Sequence, residues 1–111
     1  MNIQQILQFC LSQKSSFEDY PFGPETTVIK VGSKIFAIFS KGRVSLKCDP
    51  FTSDLLRKEY SAVSPGYHLN KEHWNTVLIN DTVPDDEFKW MIDHSYDLVF
   101  KSLTKSEKES F

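Results

Sequence analysis

Two tight connections placed one strand apart constrain the fold of this chain more than any other feature of its sequence. Gly32-Ser33 separates the β-branched run 26–31 from the apolar run 34–40, and Lys41-Gly42 separates that run from 43–48. Two-residue connections join neighbouring antiparallel strands, and a Gly-X pair suits a type II′ turn. The sequence therefore predicts a three-stranded antiparallel meander.

Helical patterns flank this meander on both sides. Residues 2–13 place apolar side chains at helical spacing, and residues 50–60 predict a short helix capped by Thr52 or Ser53 with its basic residues outward. In that short helix Phe51, Leu55 and Leu56 are expected to point inward. A fourth strand is predicted over 74–79, and a last helix is predicted to begin near Pro84. The order α-β-β-β-α-β-α predicts a two-layer α+β domain, with one antiparallel sheet and helices packed on one face.

A single domain over residues 1–111 is expected from the length, with the charged segment 104–111 as a frayed tail. A chain of this size buries roughly two-thirds of its unfolded surface, so its core does not depend on disulfides. Cys10 and Cys48 fall on apolar faces and predict buried thiols, although the sequence leaves a disulfide between them open.

The N-terminal residues indicate where the protein is expected to reside. Met1–Gln5 lack the basic region and apolar run of a signal peptide. No apolar run approaches the roughly 18 residues that cross a bilayer as a helix. We therefore expect a soluble, cytoplasmic protein with no membrane partner.

Charge is distributed unevenly along the chain, although its net value is only −2. Residues 30–58 carry seven basic side chains against two acidic ones, whereas residues 81–97 carry six acidic side chains against one basic one. This pattern predicts a basic side and an acidic side. Such polarity permits an anionic partner without requiring one, and a solvated basic face is the alternative.

Two loops concentrate the residue types that carry function. One is Tyr20-Pro21-Phe22-Gly23, and the other runs from Ser64 to Trp74 and contains two histidines, a lysine, an asparagine and two large aromatic residues. Over about residues 6–103 the chain resembles the MmcQ/YjbR family. Besides these two loops, the landmarks are Lys34–Ala37, Leu46–Cys48, Leu56-Arg57 and Ser95–Val99.

The resemblance implies a CyaY-like fold and a DNA-binding role through a double-wing arrangement. Frataxin-like proteins share that fold and handle iron, but a shared fold does not carry function. The acidic cluster of this chain lies at the predicted start of the last helix, where complementing the helix dipole explains it. No cofactor is therefore expected.

The basic part of the meander is the predicted DNA contact. Arg43 and Lys47 share one strand face, and Lys41 lies in the adjoining turn. Cations placed there would bind phosphates with salt-dependent affinity, and an aromatic side chain would stack on a base. We predict DNA or another polyanion as partner, contacted by Lys41, Arg43, Lys47, Lys71, His73 and Trp74.

A pocket for a small ligand or a protein segment is the alternative from a different class. Its predicted frame is Pro21, Phe22, Tyr67, His73 and Trp74. No metal site is expected on His68 and His73, because their spacing in a Pro-Gly loop does not match a helical i, i+4 pair. A third possibility is a homodimer that uses the all-apolar run Ile35–Phe39 as its interface.

Nucleophilic catalysis finds no support in the sequence. Ser64, Ser95 and Cys48 occur in no nucleophile-elbow motif. Ser95 lies on the apolar stripe of the last predicted helix, where its hydroxyl is expected to bond the carbonyl one turn back. The sequence therefore predicts a non-enzymatic binding protein.

Overall fold

Six strands and four helices make up the computed structural model, which describes all 111 residues. In chain order the elements are α1 (Ile3–Leu11), β1 (Ser16–Asp19), β2 (Thr27–Val31), β3 (Lys34–Ser40), β4 (Arg43–Lys47), α2 (Pro50–Glu59), β5 (Val63–Pro65), β6 (Trp74–Leu78), α3 (Asp85–Lys101) and α4 (Lys105–Glu109). The strands form one antiparallel sheet in the order β1-β2-β3-β4-β6-β5. The predicted α+β class is therefore confirmed. None of the four helices has the length and apolar character needed to cross a bilayer.

The predicted meander is formed by β2, β3 and β4. At the first turn only Gly32 has a positive φ, of 59°, as a type II′ turn requires. At the second turn both Lys41 and Gly42 have positive φ, of 51° and 74°, which is typical of type I′. Both turn types match the natural twist of the strands they join. Strand β3 is paired with β2 along one edge and with β4 along the other.

Three short elements lie outside the predicted order. Strands β1 and β5 have four and three residues and form the two edges of the sheet, and neither shows a run of alternating apolar residues. The segment predicted as a frayed tail forms α4 instead. Thr104 and Glu107 make a capping box, and a Glu107 carboxylate oxygen accepts a hydrogen bond from the Ser33 backbone N–H at 2.8 Å. This contact ties α4 to the β2–β3 turn.

Helix α2 begins earlier than the sequence predicted, and this changes which of its side chains are buried. Asp49 is the N-cap and accepts from the Thr52 N–H at 2.9 Å, so the helix starts at Pro50. The buried stripe therefore contains Ser53 and Leu56. Phe51 and Leu55, both expected to point inward, are 76% and 51% exposed. Arg57, expected to point outward, is half-buried and engaged in hydrogen bonds.

Helix α3 packs across β2, β3 and β4, and α1 packs beside it. The core between helices and sheet includes Ile6 and Cys10 of α1 and Phe88, Met91, Ile92 and Val99 of α3. Cys10 and Cys48 are both buried and both free thiols, as expected.

The hydroxyl of Ser95 on α3 is used differently from the prediction. Instead of bonding its own helix, it donates to the Phe36 carbonyl at 2.6 Å and accepts from the Lys47 N–H at 2.8 Å. The β3–β4 register ends at the neighbouring pair, Ala37 and Leu46. Ser95 therefore satisfies two backbone groups at the point where direct pairing of the two strands stops.

The other side of the sheet, called the open face below, carries side chains that alternate with the core residues. By register it bears Ile38, Ser40, Arg43, Ser45, Lys47, Trp74 and Thr76. The dimer hypothesis rested on the all-apolar run Ile35–Phe39. Of this run, Phe36, Ala37 and Phe39 belong to the core, and only Ile35 and Ile38 are half-buried. The dimer stays a hypothesis, and β3 offers it no unpaired strand edge.

Candidate functional site

Four of the seven cations between residues 30 and 58 are held by partners within the protein. Lys30 pairs with Asp19 at 3.5 Å, and Lys58 pairs with Asp54 at 3.2 Å. Lys34 donates to the Ser102 carbonyl, and Arg57 donates to backbone carbonyls. The three cations that remain have no hydrogen-bond or carboxylate partner for their side-chain nitrogens, and they are Lys41, Arg43 and Lys47.

A pocket of about 510 Å³ opens on the open face of the sheet. Its floor is formed by side chains of β3, β4 and β6: Ile38, Ser40, Arg43, Ser45 and Thr76. One wall is the loop after β1, with Phe22, Glu25 and Thr26, and the other is the loop after β5, with Tyr67, His68 and Leu69. Lys41 in the β3–β4 turn closes one end. This volume lies within the range of small-ligand pockets.

Two hydroxyl groups link the floor to the second wall. Ser45 and Thr76 are direct cross-strand neighbours, and their side-chain oxygens are 2.9 Å apart. The Thr76 oxygen also accepts a hydrogen bond from the Tyr67 backbone N–H at 2.9 Å. Both residues are buried although they lie on the open face, because the walls cover them. The start of the loop is thereby fixed to the sheet.

Positive charge in the pocket comes from β4 and the adjacent turn. The Arg43 guanidinium lies 5.3 Å from the centre of the Tyr67 ring, a cation–π contact that leaves its N–H groups available. The Tyr67 ring in turn contacts the His68 imidazole, with centroids 4.1 Å apart. Glu25 is the only carboxylate that lines the pocket. Lys41 and Arg43 therefore give it a positive excess that suits an anionic group.

The wall formed by residues 66–73 is held by its own backbone and by α2. The Gly66 N–H donates to the Trp74 carbonyl at 2.8 Å, and the Asn70 side chain accepts from the N–H groups of Glu72 and His73. Arg57 of α2 donates to the carbonyls of Lys71 and Trp74. A side chain on the helix side of the sheet thus positions the loop that borders the pocket.

The opposite wall is the turn at Tyr20–Gly23. The Gly23 N–H donates to the Tyr20 carbonyl at 3.2 Å, and Gly23 takes a φ of 104° that favours glycine. The turn leaves Phe22 66% exposed at the pocket rim. An exposed aromatic ring at the edge of a cavity is available to pack on a ligand.

The predicted site residues divide into three groups. Lys41, Arg43, Phe22 and Tyr67 line the pocket. Lys47 and Trp74 lie outside it as a cross-strand pair on the same open face. The remaining three belong neither to the pocket lining nor to this pair. Pro21 and His73 do not line the pocket, and the Lys71 ammonium turns back to donate to the Gly66 carbonyl at 3.0 Å.

A second group of chemically active side chains lies outside this pocket and was missed by the sequence reasoning. Cys48, Asp49 and His94 each present a potential metal-ligand atom, and the three atoms lie within 4.8 Å of one another. The Thr52 backbone N–H holds the pKa of Asp49 below its usual value, whereas burial raises the pKa of the Cys48 thiol. The Cys-Asp-Pro run at a helix start was the available signal, but His94 is distant in sequence.

Comparisons with known proteins agree on one family. A family model described as YjbR matches residues 11–98. The uncharacterised protein YjbR of Escherichia coli K12 is 32% identical over 113 residues, which cover 98% of this chain and 96% of that protein. The uncharacterised protein YbdF of Escherichia coli O157:H7 is 37% identical over 94 residues, covering 81% of this chain and 77% of that protein.

Solved structures share the fold. The crystal structure of the Deinococcus radiodurans protein DR2400, a DUF419 domain, matches with a TM-score of 0.89 at 35% identity, covering 98% of this chain and 86% of that one. A Pseudomonas syringae crystal structure matches with a TM-score of 0.77 at 28% identity, covering 89% of this chain and 99% of that one. The arrangement of strands and helices described above is thus shared with experimentally solved proteins.

Proposed function

The chain belongs to the YjbR family, and from the geometry of its open face we propose that it is a binding protein for DNA. The observation that carries the proposal is that the three cations of residues 30–58 without a hydrogen-bond or carboxylate partner, Lys41, Arg43 and Lys47, all lie on this face or in its adjoining turn. Cations held in place but not neutralised are what a phosphate backbone binds.

The length of the cationic row favours a polyanion. Arg43 and Lys47 are four residues apart on one strand, about 13 Å at the usual rise of a β-strand. That distance is about four times the axial rise per nucleotide of one DNA strand. Lys47 lies outside the pocket, so a small anion in the pocket would leave it unused.

Aromatic side chains border the same row. Trp74 lies directly opposite Lys47 in the β4–β6 register, and Tyr67 lies under Arg43. Stacking of a base on such a ring contributes about 1–3 kcal/mol and tolerates any base sequence. The face therefore combines phosphate contacts with stacking platforms and has no inserted recognition helix, which predicts binding with weak sequence preference.

A fluorescence anisotropy titration of labelled DNA at several salt concentrations tests the proposal. Duplex and single-stranded DNA of the same length are compared, because stacking on Trp74 and Tyr67 favours unpaired bases. We expect saturable binding that weakens steeply as salt rises, with a slope that counts the phosphates contacted. Absence of binding to either form at low salt would reject DNA as the partner.

A small organic anion is the second candidate, and the pocket itself favours it. The hydroxyl pair of Ser45 and Thr76, the Arg43 guanidinium and the Phe22 ring converge on one cavity, the combination that small-ligand sites use. Thermal melting with nucleoside monophosphates and aromatic carboxylates tests this candidate. Stabilisation by such an anion, together with no binding of DNA, would place this function first.

A further inference from the structure

Three side chains from three elements meet at the junction between β4 and α2. Cys48 follows β4, Asp49 caps α2, and His94 comes from the middle of α3. Their sulfur, oxygen and nitrogen atoms all lie within 4.8 Å of one another. Thiolate, carboxylate and imidazole are the three ligand types that bind zinc in proteins.

His94 Nε2 lies close to two atoms of Asp49. The Asp49 backbone N–H donates to His94 Nε2 at 3.3 Å, so this nitrogen faces Asp49 as an acceptor. The same nitrogen lies 3.0 Å from Asp49 Oδ2. A nitrogen and a carboxylate oxygen this close have between them either the N–H hydrogen of the imidazole or a cation. Nitrogen and oxygen ligands of a tetrahedral zinc ion are separated by roughly 3.3 Å, close to the distance found here.

Both of these ligand groups are already oriented. Asp49 Oδ1 accepts from the Thr52 N–H, which leaves Oδ2 directed at His94. The His94 ring is stacked on Trp90, with centroids 4.7 Å apart and planes at 14°. Groups that hold a ligand's orientation raise the affinity of a metal site. The side chains of His94 and Asp49 are 19% and 37% exposed, which leaves a path to solvent.

An independent observation concerns the buried donors around Cys48. Ser53 is 1% exposed, and its hydroxyl lies beside the Cys48 thiol but forms no hydrogen bond of ordinary geometry. The side-chain NH₂ of Asn75, which lines the same small cavity as Cys48, is also buried without a partner. Buried donors without acceptors are rare because they cost free energy. A thiolate at Cys48 would be an acceptor for the Ser53 hydroxyl, and metal binding is what deprotonates a cysteine outright.

We propose that Cys48, Asp49 and His94 form a binding site for zinc or a similar borderline divalent cation, with water in the fourth position. Thiolate and carboxylate together carry the two negative charges that neutralise the ion. The N-terminus of α2 favours both anions, and Ser53 lies where it can donate to the sulfur. A bound ion would join β4, α2 and α3 at one point, independently of any DNA on the open face.

Cobalt titration of chelator-treated protein tests the site directly. A cobalt–thiolate bond gives a near-ultraviolet absorption band, so the titration reports sulfur coordination as well as stoichiometry. We expect one Co²⁺ per chain with this band, and displacement of the cobalt by Zn²⁺. Cys48→Ser should remove the band while Cys10 remains, which makes the second cysteine an internal control.

Two further variants separate coordination from folding. Asp49→Asn keeps an N-capping side chain but removes the carboxylate charge, and His94→Gln removes the imidazole from a partly exposed position. Each should weaken Zn²⁺ binding about tenfold or more and abolish the rise in melting temperature that Zn²⁺ gives the wild type. His68→Gln, an exposed histidine in the loop after β5, is the matched control and should bind Zn²⁺ as the wild type does.

Two outcomes would overturn the proposal. One is the absence of a thiolate band in wild-type protein at stoichiometric cobalt. The other is a Zn²⁺ affinity of Asp49→Asn and His94→Gln equal to that of the wild type. Far-ultraviolet circular dichroism without metal shows which variants are folded. If Cys48→Ser does not fold, the Asp49→Asn and His94→Gln variants decide the question.

Discussion

The guanidinium of Arg43 lies 5.3 Å above the ring of Tyr67, and this pair joins the floor of the open-face pocket to its wall. The arrangement presents a cation on a rigid strand and restrains the loop that carries Tyr67. A contact of this type contributes about 0.5–1 kcal/mol at an exposed site. The guanidinium N–H groups have no acceptor within the protein and are therefore available to a ligand.

Replacing the Tyr67 ring tests the importance of this contact for binding. Tyr67→Leu should weaken DNA binding about two- to fivefold, because Arg43 loses its restraint and a stacking surface is removed. Tyr67→Phe keeps the ring and with it the cation–π contact, so this variant should bind DNA within about twofold of the wild type. Anisotropy titrations at one salt concentration compare the three proteins. Equal losses in both variants would assign the effect to the hydroxyl.

Removing two of the partnerless cations should change the salt dependence of binding. Each phosphate contact contributes about 0.9 to the slope of log affinity against log salt for duplex DNA, so Arg43→Ala with Lys47→Ala should reduce the slope by about 1.8. The control is Lys58→Ala with Lys105→Ala, which makes the same change in net charge at exposed, ion-paired lysines. An equal reduction in the control would indicate a general charge effect.

Loss of the Ser95 hydroxyl should destabilise the protein strongly. Ser95→Ala leaves the Phe36 carbonyl and the Lys47 N–H without partners in a buried place, at a cost of about 2–4 kcal/mol in the free energy of unfolding. Urea denaturation followed by circular dichroism measures it. Ser61→Ala, at an exposed position, should change stability by less than about 0.5 kcal/mol. Similar values for the two variants would contradict the bridging role of Ser95.

A side chain at Gly66 should distort the second wall of the pocket. A Cβ atom there would lie 2.7 Å from the Trp74 Cβ and 3.1 Å from the Trp74 carbonyl oxygen, so Gly66→Ala requires the backbone to shift. We expect a stability loss of about 1–3 kcal/mol and weaker ligand binding. Gly23→Ala is the comparison, because a Cβ there meets nothing within 4 Å although φ is 104°. If Gly66→Ala is neutral in both assays, the loop is more adaptable than its contacts indicate.

Acid should release α4 from the β2–β3 turn. The hydrogen bond from the Ser33 backbone N–H holds the pKa of Glu107 below its usual value. A lowered folded-state pKa means that the stabilisation is complete above the unfolded pKa and is lost as pH falls through the folded value. Hydrogen exchange at the Ser33 amide should therefore speed up in acid, after correction for the intrinsic rate. Glu107→Gln should remove this pH dependence, whereas Glu109→Gln should retain it.

The features that could be predicted from the sequence are those with a strong local signal. The turns at Gly32 and Lys41-Gly42 specified three strands, and the alternation from Arg43 to Lys47 separated core from open face. The short edges β1 and β5 had no such signal, since three or four residues do not establish a period. The predicted start of α2 was wrong because Thr52 and Ser53 are also good capping residues, and the sequence alone did not favour Asp49 over them.

Tertiary contacts decided what local patterns could not. The predicted DNA contacts included both Lys47, whose ammonium has no partner, and Lys71, whose ammonium is bonded inside its own loop. Their neighbouring residues in the sequence do not show which of the two ammonium groups is bonded. His94 and Cys48 are 46 positions apart, and only the packing of α3 against β4 brings them together. Arg57 looked like a solvated helix residue until its carbonyl partners were known.

The two edge strands affect how the folded protein behaves in concentrated solution. An edge strand can recruit a strand of another molecule in proportion to its length of unpaired backbone. Here β1 offers four residues that include Glu18 and Asp19, and β5 offers three that end in Pro65, which has no N–H to donate. Both edges therefore give another chain little to pair with, so the sheet is protected against edge-to-edge aggregation at high concentration.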